Sequence, residues 1–224
     1  MIDFSRIPTV TKYLLIINIA FFVLQNMFPA IDQNLALHFF KSPDFQPYQI
    51  ITHMFMHGSF THLLFNMYAL FMFGQAIEMR LGDKKFLTYY VLTGFGAVIL
   101  HTAVQYLEMS DIMTELEKAF TSNQINFSKY TTYYNRIFPR MVGASGALFG
   151  ILAAYAFFYP NQEMYIMFVP VPIKSKYLLG AYAAYELYRG VQNASGDNIA
   201  HFAHLGGALF GFIILREWRK KHII

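Results

Sequence analysis

Residues 141–150 read MVGASGALFG, and Ser145 is the only hydroxyl residue in this apolar, glycine-containing stretch. A serine in an apolar helix usually bonds a carbonyl one turn back, and small residues often serve helix packing alone. A polar group in hydrocarbon is costly, however, so it normally faces the interior of a helix bundle or a water-filled cavity. Packing and chemistry are therefore both open interpretations of Ser145, and the rest of the chain has to distinguish them.

The composition indicates a membrane protein. Hydrophobic residues make up 56% of the 224 residues, charged residues make up 13%, and the mean hydropathy is +0.35. Soluble domains typically contain roughly 25% charged residues. Apolar segments fill most of the chain, so a single membrane domain over residues 1–224 is predicted. The absence of cysteine from the sequence excludes a disulfide framework, a thiolate nucleophile and a cysteine metal site.

Six apolar segments are candidates for transmembrane helices, which need about 20 mostly apolar residues. The chain is therefore predicted to be all-α, a polytopic membrane protein with a bundle of six transmembrane helices. The first segment lacks an A-x-A cleavage site and is interpreted as a retained span rather than a signal peptide. The predicted spans are 13–29, 60–77, 86–107, 142–159, 177–191 and 199–215.

The basic residues predict the orientation of these spans. In a six-span chain, 11 Lys and Arg residues lie on the side of the termini and 6 lie on the other side. Cytoplasmic flanks carry the excess, so both termini are predicted to be cytoplasmic. Segments two, four and six then run from the outside inward. The basic residues form no long run, which argues against nucleic acid as a partner despite the formal charge of +4.

Four polar residues lie at a similar depth in this arrangement: Ser145, His204, His62 and Asn66. At a rise of about 1.5 Å per residue, each falls within roughly 10 Å of the outer end of its segment. A serine hydroxyl is a poor nucleophile until a base takes its proton, and imidazole titrates in the range that suits this exchange. Ser145 and His204 are therefore predicted to form a nucleophile and base pair.

The pair is predicted to be a dyad without a carboxylate. No Asp or Glu lies at this depth in segments two, four or six. Phe149 follows Ser145 by one turn on the same helix face and could hold the imidazole by stacking. Ordinary packing against lipid or core is the alternative for Phe149.

Two pairs of glycines predict that segments four and six touch. Small residues at four-residue spacing let two membrane helices approach closely. The pairs begin one residue after the serine and three residues after the histidine, so close approach would bring the two side chains together. They are Gly146 with Gly150, and Gly207 with Gly211.

The stretch ITHMFMHGSFTHLLFN, residues 51–66, contains three histidines and raises the question of a zinc site. On a continuous helix His53 and His57 would be about 40° apart, but His62 would be about 180° from His53. One face cannot hold all three, and no HExxH motif is present, so no metal is predicted. His53 and His57 are interpreted as structural hydrogen-bonding residues of a partly submerged loop. Ser59 is a candidate N-cap for the helix that follows.

His62 and Asn66, spaced four residues apart, lie on one helix face and can both donate hydrogen bonds. A developing oxyanion in acyl transfer requires such donors, and the backbone N–H of Ser145 is a natural third one. A transporter or proton channel that uses histidines as relays is a rival function. The sequence lacks the symmetry of paired halves that transporters commonly show.

These residues resemble the motifs of the rhomboid intramembrane serine proteases. The matching motifs are His62-x-x-x-Asn66, Gly143-Ala-Ser145-Gly146 and Ala203-His204-x-x-Gly207-x-x-x-Gly211. The resemblance implies a short central fourth segment below a cavity that opens to the extracytoplasmic side. It also implies that Ser145 is the nucleophile, that His204 is the base, and that His62, Asn66 and backbone N–H groups bind the oxyanion. The implied partners are transmembrane protein substrates and membrane lipid, with no cofactor, in a bacterial plasma membrane.

The resemblance implies that segment five and the 192–198 loop, QNASGDN, gate and cap the site. A catalytically inactive rhomboid-like protein that binds transmembrane helices is the alternative function, but it would not need Ser145 and His204 together. The connection over residues 108–140 is predicted to contain a surface-lying amphipathic helix, which either packs over the bundle or contacts substrates. Its apolar stripe is Ile112, Met113, Leu116, Ala119 and Phe120.

Overall fold

The chain is mainly helical. The computed structural model describes residues 7–28, 30–122, 126, 128, 131, 140–165, 171–192 and 200–224. Its helices are α1 (Thr9–Met27), α2 (Ala30–Leu35), α3 (Gln49–Thr52), α4 (Phe60–Ala69), α5 (Gln75–Leu81), α6 (Asp83–Thr121), α7 (Ser145–Phe158), α8 (Ser175–Gln192) and α9 (His201–Lys220). A 3₁₀ turn covers His53–Phe55, and a π-helical turn over Leu70–Gly74 joins α4 to α5. Strand β1 (Glu163–Met164) pairs antiparallel with β2 (Ile173–Lys174).

Three helical stretches are long and apolar enough to cross a membrane within the described part of the chain. They are Thr9–Met27, the continuous run Phe60–Leu81, and Asp83–Thr121. Helix α7 is also apolar but has only 14 residues. Each of the six predicted segments coincides with helix in the structure, although the ends differ: the first begins at Thr9 and the last continues to Lys220.

The outer faces of these helices are apolar and exposed. Ile16 and Val23 of α1 and Leu64 of α4 each expose about half of their surface. An apolar surface of this extent on a soluble protein would mark a site of association. Lipid is the natural solvent for these side chains in a membrane.

The connection after the third predicted span differs from the expected arrangement. Residues 108–121 continue α6 without a break, giving a helix of 39 residues, about 58 Å at the usual rise per residue. That length is nearly twice the roughly 30 Å thickness of a hydrocarbon core. The stretch is helical, as predicted, but it continues α6 instead of forming a helix of its own, because no Gly or Pro between 108 and 121 interrupts the helix. Most of residues 123–139 lie outside the described part.

Helix α7 is the central element of the bundle, and glycines set its distance from its neighbours. A Cβ atom on Gly207 of α9 would overlap the carbonyl oxygen of Gly146 on α7. A Cβ on Gly146 would lie 2.5 Å from the Cβ of Ala97 on α6. Helices α6, α7 and α9 therefore pack with their backbones close together, which only small residues at the contacts allow.

Two buried polar contacts connect the helices. Glu78 of α5 accepts hydrogen bonds from the backbone N–H groups of Val10 and Thr11, both at 2.7 Å, and so caps the first turn of α1. The Tyr89 hydroxyl of α6 donates to the carbonyl oxygen of Gly150 on α7 at 2.7 Å. These contacts satisfy polar groups that would be costly to leave unpaired in an apolar interior.

The substitution Gly207→Ala tests the role of close backbone approach. We expect the variant to have a lower yield of folded protein and a lower Tm, because a backbone oxygen faces the added methyl group and cannot rotate away. Overpacking of this kind typically costs about 1–3 kcal/mol or more. The measurement is thermal unfolding in detergent together with gel filtration. Gly180→Ala on α8 is the matched control, since nothing lies within 4 Å of its added Cβ; equal Tm values for the two variants would contradict the expectation.

Candidate active site

The turn before α7 places Ser145 at the first position of that helix. Gly143 has a φ of +120°, a conformation that side chains other than glycine rarely adopt. A Cβ atom there would also lie 2.8 Å from Cε1 and Nε2 of His62. The N–H of Gly143 donates to the carbonyl oxygen of His53 at 2.9 Å. The turn is therefore fixed both by its own backbone and by the loop that precedes α4.

Ser145 and His204 are in direct contact. The Ser145 Oγ atom lies 2.8 Å from Nε2 of His204, across the interface between α7 and α9. When Nε2 carries no proton, the hydroxyl donates to it, which is the arrangement in which imidazole can take the serine proton. Ser145 is half-buried and His204 is 9% exposed, so the contact lies beneath the outer surface.

An aromatic ring supports the imidazole from the side of α7. The rings of Phe149 and His204 are stacked, with centroids 4.3 Å apart and an interplanar angle of 6°. Tyr182 of α8 packs on Phe149 with ring centroids 4.8 Å apart. Phe149 therefore covers one face of the His204 ring and restricts its rotation, and Tyr182 supports Phe149 from behind.

Helix α4 brings two hydrogen-bond donors toward the same turn. Its N-cap is Ser59, whose Oγ accepts from the backbone N–H of His62 at 3.1 Å. Measured from the position that a Cβ of Gly143 would occupy, Nδ2 of Asn66 is 3.6 Å away. Asn66 is buried, and its Nδ2 makes no hydrogen bond with any described residue. The N–H groups of the first turn of α7 lack carbonyl partners within that helix, as at every helix start.

A carboxylate also lies beside the imidazole. Oε2 of Glu186 on α8 is 3.0 Å from Nδ1 of His204 and 2.5 Å from Nδ1 of His201. The prediction that no carboxylate would be near the imidazole is wrong, because it considered only segments two, four and six. A signal was present: Glu186 is the only acidic residue in the fifth predicted segment. An acidic residue within a transmembrane segment is by default a candidate functional residue.

His53 and His57 lie in the loop before α4 and differ in their contacts. The His53 ring donates from Nδ1 to the carbonyl oxygen of Gln49 at 2.8 Å. The His57 backbone exchanges two hydrogen bonds with the Gln25 side chain, but its ring nitrogens contact no hydrogen-bond partner among the described residues. Its ring packs edge-on against His62, with centroids 5.1 Å apart. The structural interpretation therefore fits the His53 ring and the His57 backbone, whereas the His57 ring is held by its contact with His62.

Two further predictions concern a metal site and the cap over the site. Within the described ranges, no group of three or more His, Asp or Glu residues has the arrangement of metal ligands. Of the 192–198 loop, only Gln192 at the end of α8 is described, and residues 193–198 lie outside the described residues.

Comparison with known proteins decides the family. The profile of the Rhomboid domain matches residues 44–218, which include Ser145, His204 and the side chains that contact them. The chain belongs to the Rhomboid family. The apolar helices and this family membership make it an integral membrane protein, and its rhomboid domain is mostly helical.

Relatives in the Rhomboid family come from bacteria and from mitochondria. The chain is 32% identical over 175 residues to Rhomboid protease AarA of Providencia stuartii, covering 72% of this chain and 52% of that protein. It is 27% identical over 174 residues to Rhomboid protein 1, mitochondrial, of Saccharomyces cerevisiae, covering 75% and 40%. It is 28% identical over 201 residues to Presenilin-associated rhomboid-like protein A, mitochondrial, of Danio rerio, covering 86% and 45%. The chain spans about half the length of these relatives.

The stability of this rhomboid domain is expected to depend on pH through the loop histidines. Burial lowers the pKa of His53 to about 4, and burial followed by repulsion from His62 lowers the pKa of His57 to about 4. The unfolded chain takes up protons near pH 6.5, whereas the folded chain binds them only near pH 4. The unfolded state therefore binds more protons within this window, and the free energy of unfolding falls as the pH drops through it.

The substitution His57→Gln removes one of these histidines. We expect the decrease in Tm between about pH 7 and pH 5 to be smaller in the variant than in the parent. Thermal unfolding in detergent at several pH values measures this difference. An identical pH dependence in both proteins would contradict the assignment of the effect to His57.

Proposed function

We propose that this chain is an intramembrane serine endopeptidase with Ser145 as nucleophile and His204 as general base. The single observation that carries the proposal is the 2.8 Å contact between Ser145 Oγ and His204 Nε2. The stacked Phe149 ring supports it, because a catalytic imidazole must be held in orientation. The Providencia stuartii relative is named a rhomboid protease, which supports the same reaction class.

The proposed membrane arrangement is a six-span bundle with both termini cytoplasmic, in a bacterial plasma membrane. Support comes from the excess of 11 basic residues over 6 on the side of the termini. The 14-residue α7 is too short to cross a bilayer alone, but it is surrounded by protein. The N-terminus of α7 can therefore lie below the membrane surface, at a water-filled cavity lined by protein. We place the opening of this cavity on the extracytoplasmic side.

The proposed reaction begins with attack of Ser145 Oγ on the carbonyl carbon of a peptide bond. His204 Nε2 takes the hydroxyl proton as the new carbon–oxygen bond forms. The tetrahedral intermediate collapses when the carbon–nitrogen bond breaks, and the imidazolium gives its proton to the leaving amine. Water, activated by the same imidazole, then hydrolyses the acyl-enzyme and restores the serine. No cofactor or metal enters any step.

The oxyanion is proposed to bind between α4 and the start of α7. Asn66 Nδ2 is buried with no hydrogen-bond partner among the described residues, so it is available to an incoming oxygen. The His62 ring lies against Gly143 in the same turn, and the N–H of Ser145 adds a backbone donor. Positioned donors of this kind stabilise the negative charge that develops in the transition state.

The proposed substrates are membrane proteins cut in or beside a transmembrane segment. A helical peptide buries its carbonyl groups in its own hydrogen bonds, so it must unwind locally before Ser145 can attack. We therefore expect small or helix-breaking residues near the cut. Membrane lipid surrounds the enzyme and its substrate, and nucleic acid has no part in the reaction.

The substitutions Ser145→Ala and His204→Ala test the proposed pair. We expect each to lower kcat for a single-span model substrate by at least about 10³-fold, since removing either member leaves only binding and oxyanion stabilisation. The measurement is cleavage by the purified chain in detergent or liposomes. Ser175→Ala is the control: Ser175 is buried, and its hydroxyl donates to the Tyr159 carbonyl at 2.5 Å, away from the site.

Two outcomes would contradict the proposal. A folded Ser145→Ala variant that cuts at the parental rate would exclude this serine as the nucleophile. A folded parent that cuts none of several single-span substrates would favour a rhomboid-like protein that binds transmembrane helices without cleaving them.

The substitution Asn66→Ala tests the oxyanion site. We expect kcat to fall by about 10²- to 10³-fold with little change in KM, because the lost hydrogen bond forms mainly in the transition state. Asn18→Ala is the control, since Asn18 is buried in α1 and its Nδ2 donates to Leu14 of the same helix at 2.7 Å. A parental kcat in folded Asn66→Ala protein would remove this residue from the site.

A further inference from the structure

Glu186 occupies an unusual place on α8. That helix lies at the edge of the bundle, and its neighbouring large residues Tyr185, Leu187 and Tyr188 each expose half of their surface or more. Glu186 is only 2% exposed. A buried carboxylate in an apolar helix is costly unless other groups compensate its charge. The inward position of the only acidic side chain on α8 therefore requires a partner.

Two imidazoles from α9 provide that partner. Oε2 of Glu186 lies 2.5 Å from Nδ1 of His201 and 3.0 Å from Nδ1 of His204. The two histidines are three residues apart, so they project from the same face of α9. Close approach of the helices at Gly190 makes this possible, because a Cβ there would lie 3.0 Å from the Phe202 ring. One carboxylate oxygen thus faces both the proposed base and a neighbouring histidine.

We propose that Glu186 is a positioning residue that acts on the reaction through His204. Its carboxylate favours the proton of the neutral imidazole on Nδ1, which leaves Nε2 unprotonated and turned toward Ser145. When Nε2 takes the serine proton, the imidazolium that forms carries its Nδ1–H beside the carboxylate. Glu186 itself is not protonated in this step. The proposal rests on the proposed function, because it requires His204 to act as the base.

The geometry favours an effect on the transition state over an effect on the resting enzyme. Nδ1 of His204 lies 3.0 Å from Oε2 of Glu186, but the two groups are not aligned as in a well-directed hydrogen bond. The attraction is therefore mainly electrostatic, and it grows when the ring becomes a cation. Interactions that strengthen as charge develops accelerate the chemical step, whereas uniform ones change only binding.

His201 has a different part in the arrangement. Its hydrogen bond with Oε2 is the better directed of the two contacts and fixes the carboxylate between α8 and α9. Tyr182 lies one turn before Glu186 on α8 and packs on Phe149, the residue that stacks on His204. Helix α8 therefore contacts the proposed base both through a charge and through an aromatic pair.

A purely structural role would tie α8 to α9 without affecting the chemistry, and the substitution Glu186→Gln separates the two roles. Gln keeps the size and an acceptor oxygen but removes the charge. We expect kcat of the full chain to fall by about 10- to 100-fold. This decrease is smaller than the one that follows loss of the carboxylate in a well-aligned catalytic triad. KM should stay within about 2-fold, and the rate of labelling by a fluorophosphonate should fall in parallel with kcat.

Glu78→Gln is the matched control. Glu78 is a buried glutamate of the same bundle, but it caps α1 and lies away from the pair. We expect this variant to have a lower Tm while its folded fraction keeps kcat within about 2-fold of the parent. Glu186→Gln should show the opposite pattern, with a loss of kcat that exceeds any loss of stability.

Each outcome has one consequence. Parental kcat and labelling in folded Glu186→Gln, with or without a lower Tm, would overturn the positioning role and leave the proposed function intact. A parent that neither cuts substrate nor reacts with the probe would overturn the proposed function and this role together. If Glu186→Gln does not fold, Glu186→Met takes its place: it has a similar size and no charge, and parental kcat in its folded fraction would overturn the role.

Discussion

The close contact between the backbones of α7 and α9 is the constraint on which the rest of the structure depends. Gly207 faces the carbonyl oxygen of Gly146 so closely that a single methyl group would not fit between them. This contact sets the distance between two helices that are far apart in sequence. Ser145 precedes one of these glycines by one residue, and His204 precedes the other by three. The 2.8 Å contact between their side chains follows from that spacing.

The surrounding elements hold the pair in place. The turn at Gly143 brings the loop of His53 and the start of α4 next to Ser145. Phe149 covers the face of the His204 ring, and Glu186 approaches its far edge from α8. Helices α7 and α8 thus both contact the imidazole of His204. In an apolar interior each of these polar groups is costly alone, and their mutual contacts reduce that cost.

Much of the site could be predicted from the sequence because helical periodicity fixes depth and face. The spacing of His62 and Asn66, the position of Ser145 at the start of a segment, and the two glycine pairs all follow from about 3.6 residues per turn. The membrane character follows from composition. Periodicity does not tell which side chain of a peripheral helix turns inward, since packing against neighbours decides this. For that reason Glu186 was missed, although its charge within an apolar segment was a visible signal.

The hydrophobic pattern of the sequence also did not predict where α6 ends or what the loop histidines contact. The extension of α6 to Thr121 depends on the absence of a helix-breaking residue. A search for apolar segments does not show that a helix continues past its apolar residues. The His57 ring is buried against His62 with no hydrogen bond to any described residue, whereas an isolated loop histidine is expected to find a partner. The first difference has a local cause in the sequence, whereas the second arises from a tertiary contact.

The central claim is that His204 activates Ser145 as a nucleophile, and mapping a fluorophosphonate adduct by mass spectrometry tests it most directly. The purified parent chain and its His204→Ala variant would be incubated with the probe, digested and compared. The account predicts a single adduct on the peptide that contains Ser145 in the parent, and no adduct there in the variant over the same time. An adduct at another residue, or equal modification of Ser145 without His204, would contradict it.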